Sequence, residues 1–78
     1  MKYTLNGPWS ISEVWREPND SIVVMVADLV DSRGNVWRDG AYKVEHNGKK
    51  VKAWKGETAW SDAERYAYDL VMKIRFAR

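Results

Sequence analysis

HNGKKVKAWK, residues 46–55, carries an Asn-Gly pair of the kind that closes a two-residue β-hairpin. Such a turn needs positive φ at both central residues, which Asn and Gly tolerate. With Asn47 and Gly48 at the tip, the arms register by counting. His46 faces Lys49, Val44 faces Val51 and Tyr42 faces Ala53 on one side of the ribbon, while Glu45 faces Lys50, Lys43 faces Lys52 and Ala41 faces Trp54 on the other. The second side thus gathers Lys43, Lys50, Lys52 and Trp54, with Lys43 directly opposite Lys52. Like charges so placed are mildly destabilising, and a partner for the ribbon is one explanation of why they are there.

Upstream of the hairpin the same period continues. WSISEVW, residues 9–15, alternates so that Trp9, Ile11, Glu13 and Trp15 share one side and Ser10, Ser12 and Val14 the other, a strand introduced by Gly7-Pro8. EPND, residues 17–20, is turn chemistry and begins a first hairpin. SIVVMVADLV, residues 21–30, is Val-rich and apolar on both faces, as in a central strand covered on one face and adhesive on the other. DSRG, residues 31–34, turns into a third strand, NVWRDGAYKVEH, which Asp39-Gly40 is expected to interrupt with a bulge.

After Gly56 the period changes from two to 3.6. Ser61 and Glu64 have the spacing of a capping box, and Asp62 in the first turn suits the helix dipole, so a helix is expected over residues 62–75. Ala63, Ala67, Leu70, Val71 and Ile74 form its core arc, with Tyr66 at the border. Tyr68, Met72 and Phe76 form a second stripe off that arc, flanked by Arg65, Asp69 and Arg75. Aromatic, Met and Arg side chains are enriched where proteins meet. Tyr68, Met72, Phe76, Arg65 and Arg75 are therefore the expected partner-binding residues, for a larger protein or as a homodimer seam through the C-terminal helix. The expected fold is α+β: an antiparallel meander of about four strands with one C-terminal helix packed on one face, residues 1–78 forming a single domain.

Composition bounds the function. A 78-residue chain buries only about 60% of its unfolded surface, so its five Trp, four Tyr and one Phe must supply much of the core. There is no Cys, hence no disulfide or thiolate-metal support, which fits a reducing compartment. MKYTLNGPW is not a signal peptide and no run nears the roughly 18 apolar residues of a membrane span, so a soluble, cytoplasmic protein without membrane attachment is expected. The net charge of +2 is unevenly spread. Residues 38–55 hold six cations against two anions, and the first 37 residues three cations against five anions. A chain polarised in this way can orient itself on an acidic partner.

Reactive constellations are scarce. His46 is the one histidine, beside the turn, and no Cys or second His stands by to build a nucleophile-base pair or a metal cluster with it. Asp28, Asp31 and Asp39 have the positions of turn and strand-end backbone acceptors. GETAWS before the helix offers a single glycine, too little for a phosphate cradle. No catalysis, cofactor or metal is expected. The alternative function is nucleic-acid binding, with Lys43, Lys50, Lys52 and Arg38 on phosphates and Trp54 stacking on a base. Arginine and amides for base reading are few, so that contact would be non-specific.

Two resemblances add expectations. VKAWKGETAWSDAERYAYDLVMKI, residues 51–74, resembles the end of a three-stranded-sheet DNA-binding module of the AP2 and integrase arm-binding type, through Trp54, Gly56, Ala63 and Tyr66-Ala67. It lacks the arginine-rich reading strands of that type. The whole chain is similar in kind to small phage-encoded inhibitors of host defence such as anti-CRISPR proteins, being short, aromatic-rich, charged at its surface and without a catalytic set. That resemblance implies an inhibitor that docks on a larger protein or nucleoprotein complex in the host cytoplasm.

Overall fold

A computed structural model describes residues 2–77. Four strands, β1 (Tyr3–Glu17), β2 (Asp20–Asp31), β3 (Val36–His46) and β4 (Lys49–Lys55), form one antiparallel meander in chain order, followed by α1 (Ala59–Phe76). The expected α+β architecture is the observed one. Among the described residues no helix is long and apolar enough to cross a membrane.

The turns follow their residues. Asn47 and Gly48 both take positive φ, 53° and 84°, as a two-residue hairpin requires. The Asn47 side chain accepts from the Ser21 amide at 2.8 Å, and the Asn47 amide donates back to the Ser21 carbonyl at 2.8 Å. His46 is half-buried, with Nε2 2.7 Å from Asp20 Oδ1, so it ties the two hairpins together rather than standing in solvent beside its turn. Asp31 accepts from the backbone amides of Arg33 and Asn35, each at 2.9 Å, and Asp28 from the Asp39 amide at 2.9 Å. These aspartates serve as local backbone acceptors.

Four irregularities interrupt the strand pairing, and the two that insert a single residue change which side chains share a face. At the expected Asp39-Gly40 bulge, residues 38–40 of β3 oppose Asp28 alone, and Asp39 has a φ of 56°. A Cβ on Gly40 would lie 2.9 Å from Leu29 Cδ1 and 3.1 Å from Trp37 Cγ, so any larger residue there must displace these side chains. In β1 a second irregularity, between Ile11 and Glu13, places Ile11 opposite Met25 and Glu13 opposite Val24. Trp9, Ile11, Glu13 and Trp15 therefore do not share one side: Glu13 and Trp15 turn toward the helix and Ile11 joins Val14 on the opposite face.

A third irregularity corrects the hairpin register. His46 faces Lys49 and Glu45 faces Lys50 as counted, but a shift between Glu45 and Val44 leaves Val51 without an opposite residue. Beyond it Val44 faces Lys52, Lys43 faces Ala53, Tyr42 faces Trp54 and Ala41 faces Lys55. A one-residue slip turns every later side chain of the strand to the other face. The gain is visible in the core: Trp54 packs against it and meets Tyr66 edge-on at 5.5 Å between ring centroids. The unfavourable Lys43–Lys52 pair does not form.

Helix and sheet join through Ile22, Val24, Tyr42 and Val44 below and Ala59, Ala63, Ala67 and Val71 above. Alanine at the contact lets the helix lie close, and Tyr66, Leu70 and Ile74 pack at its margin as the arc anticipates. The expected capping box does not form. α1 starts three residues before Asp62, at Ala59, which is buried in the core. Thr58 precedes it and its hydroxyl donates to Asp62 Oδ2 at 2.8 Å, while Ser61 Oγ donates to the Thr58 carbonyl at 3.1 Å. The earlier start buries Ala59 and forgoes the side-chain cap that Ser61 would provide.

Gly48→Val is expected to destabilise the fold by more than about 1 kcal/mol, because a β-branched residue is strained at this positive φ. A thermal melt of the variant measures the loss.

Candidate interaction surface on the open face of the sheet

The helix packs on β2, β3 and β4, and the opposite face of the sheet has no layer over it among the described residues. Cross-strand partners share a face, so the register spells out what this open face presents. One row reads Val14, Val23, Glu45, Lys50; the next reads Ile11, Met25, Lys43, Ala53; a third continues with Ala27, Ala41 and Lys55. The β1–β2 half is aliphatic and the β3–β4 half is basic. Ile11 is 64% exposed. An open sheet face ordinarily alternates to polar residues, so this apolar half departs from the pattern of a solvated face.

Trp9 links the two halves. Lys43 Nζ lies 4.7 Å from its ring centroid and 3.1 Å from Glu45 Oε2, so this lysine is held over the indole. Beside it Leu5, Trp9, Ala41, Ala53 and Trp54, together with Lys43, Lys50 and Lys55, line a cup of about 520 Å³.

The sequence-expected residues distribute over both sides. Lys43 and Lys50 stand on the open face. Lys52 and Trp54 stand on the helix side, with Lys52 Nζ 5.7 Å from the Trp54 ring and 5.8 Å from that of Tyr66. Arg38 is exposed at the Asp39-Gly40 bulge. The five residues named for nucleic acid are thus not assembled into one platform. On the helix, Tyr68 is 56% and Phe76 79% exposed, whereas Met72 is half-buried. Arg65 is exposed beside Tyr68, in a groove walled by Trp15 and Trp60. Arg75 is bound within the chain: its Nε donates to Glu17 Oε1 at 2.9 Å and its Nη2 to Oε2 at 3.3 Å, fastening the end of α1 to β1. Trp9, Ile11 and Met25 were not singled out from the sequence as site residues. The signal available for this face was the doubly apolar run 21–30, whose second face it is.

Comparison of the chain with known protein families, with curated proteins and with solved structures finds no match. The surface is therefore read from its own chemistry.

Along the groove between α1 and β1, Glu13 lies close to the carboxylate of Glu64. Burial first, and then the charge of Glu64, raises the Glu13 pKa above its ordinary value of 4.5. A carboxyl raised in the folded state binds more protons there than in the unfolded chain. Its contribution to stability is therefore lost as pH rises from 4.5 through the folded pKa. Glu13→Gln is expected to raise the melting temperature at pH 7, with the advantage over the parent vanishing near pH 4; melts at the two pH values give the difference.

Tyr68→Ser combined with Met72→Ser is expected to cost well under the roughly 2–5 kcal/mol of a core truncation, since both side chains lie off the buried arc. Chemical denaturation measures the cost. Sedimentation of the same variant beside the parent reads self-association through α1.

Proposed function

We propose that this chain is a small, non-enzymatic binding protein that docks on a larger macromolecular partner through the open face of its sheet. The observation that carries the reading is the row Ile11, Met25, Lys43, Ala53, an ordered apolar-to-basic strip at which Ile11 is 64% exposed. Exposing such a surface weakens solubility and gains the fold nothing, so a contact that buries it is its physical rationale. This mode of action suits a phage-encoded inhibitor of a host defence complex, which works by occupying a surface of its target. The exposed Tyr68 and Phe76 on α1, with Arg65 beside Tyr68, offer a second contact surface on the opposite side of the molecule.

Nucleic-acid binding is the alternative, and the register weakens it. Lys52 stands on the helix side, away from Lys43 and Lys50, and Trp54, though it borders their cup, is engaged edge-on with Tyr66.

Affinity capture from nuclease-treated host lysate tests the reading. The parent chain is expected to retain a protein that an Ile11→Asp variant, folded by its melting curve, does not. Equal capture by the two would move the contact off this face, and capture abolished by nuclease in the parent would favour nucleic acid.

A further inference from the structure

The open face is small, and its size restricts what can sit there. Four strands about 4.8 Å apart, over about six residues of about 3.3 Å rise, make a patch on the order of 400 Å². A stable interface between two globular surfaces covers about 800 Å² on each partner, so the patch fits a short segment better than a broad protein face.

Charge then selects among segments. Arg16, opposite Ser21 and two residues beyond Val14, joins Lys43, Lys50 and Lys55 on this face, against Glu45 as the one carboxylate in the same rows. Lys43 is engaged by Glu45 and Trp9. Among the described residues no ion pair joins Arg16, Lys50 or Lys55 to a carboxylate. These three cations are available to an incoming anion. Two copies stacked face to face would set the same four cations against each other with only the two Glu45 carboxylates to offset them, which disfavours a symmetric dimer through this face. Single-stranded nucleic acid would meet Ile11, Val14, Val23 and Met25, four aliphatic side chains that neither stack on bases nor bind phosphate.

Resting on the docking role proposed above, we infer that the occupant of this face is an acidic polypeptide segment with a large apolar anchor. The anchor seats among Trp9, Ile11 and Met25, and the carboxylates point to Lys50, Lys55 and Arg16. An apolar centre with charges at its rim is how such contacts divide their work. The anchor supplies most of the affinity, and the rim supplies register and salt-dependent encounter.

A random-dodecapeptide display selection on the purified chain provides the test. Selected peptides are synthesised with a fluorophore and titrated by anisotropy against the parent, a Lys50→Glu/Lys55→Glu variant and an Ile11→Ser/Met25→Ser variant, each first shown to melt cooperatively. Selected peptides are expected to be net negative with at least one large apolar residue. Each variant is expected to bind them about tenfold or more weakly, and 0.5 M salt to weaken binding to the parent. Peptides without acidic bias, or bound equally well by the charge-reversed variant, would overturn the inference. So would failure to select any peptide. A fifteen-residue oligothymidylate and phosphatidylserine-containing vesicles are titrated in parallel. Binding of either, lost in the same variants, would assign the face to nucleic acid or to an anionic membrane and overturn the acidic segment. Failure of the docking role itself is read separately, from equal lysate capture by the parent and Ile11→Asp.

Discussion

One helix covers one face of a sheet that is longer than the helix, and the rest of the structure follows from that inequality. Eighteen helical residues at about 1.5 Å each span about 27 Å, while the long axis of the molecule is 49 Å. The helix buries Ile22, Val24, Tyr42 and Val44 and reaches no further. Beyond it the strands must satisfy themselves. Leu29 is buried there with Gly40 and Trp37 close against it, and Tyr3 meets Trp37 edge-on at 5.5 Å between centroids. Where the helix does lie, it covers one side and leaves the reverse side open. An aliphatic strip such as Ile11–Met25 can remain exposed because the described residues fold into a single helix over a single sheet, with no second layer among them to cover it.

Irregular strand pairing sorts the charges between the two sides. The slip at Val51 sends Lys52 and Trp54 to the helix side and leaves Lys43 facing Ala53. The slip between Ile11 and Glu13 sends Glu13 to the helix side, where it meets Glu64, and brings Ile11 to the open face. Both exchanges remove a residue that would spoil the strip: a carboxylate from its aliphatic half and a lysine from the row of Lys43. The result is a face with an apolar half and a cationic half, backed by a helix side whose α1–β1 groove is acidic at Glu13 and Glu64 and neutralised at Glu17 by Arg75. Glu17 has a side chain only 8% exposed, so the Arg75 contact holds the helix end in place more than it adds to a surface.

The order of the elements and the class of fold were legible in local chemistry. Asn47-Gly48 can turn with positive φ where most pairs cannot, Asp31 and Asp28 hold the neighbouring turn and bulge through backbone amides, and the alanine-lined arc of α1 admits a close approach to a sheet. Each of these properties belongs to a residue and its near neighbours, so each survives being read one segment at a time. The doubly apolar run 21–30 likewise announced a strand with a second face to cover, though not what lies across from it.

What only the tertiary structure decided is register, and with it the composition of the candidate surface. Counting back from the hairpin tip keeps pairing uniform, because nothing local marks Val51 or Ser12 as an extra residue. A bulge is chosen by what it allows elsewhere: Trp54 reaching Tyr66 and the core, and Trp15 packing beside the helix. The start of α1 has the same origin, since Ala59 is worth burying only once the sheet beneath it exists. The sequence by itself determined four strands, their turns, one helix and the arc it buries, because those depend on short-range backbone preference and periodicity. Which side chains stand together on the open face depended on packing between elements distant in the chain, where a single inserted residue reverses the sides.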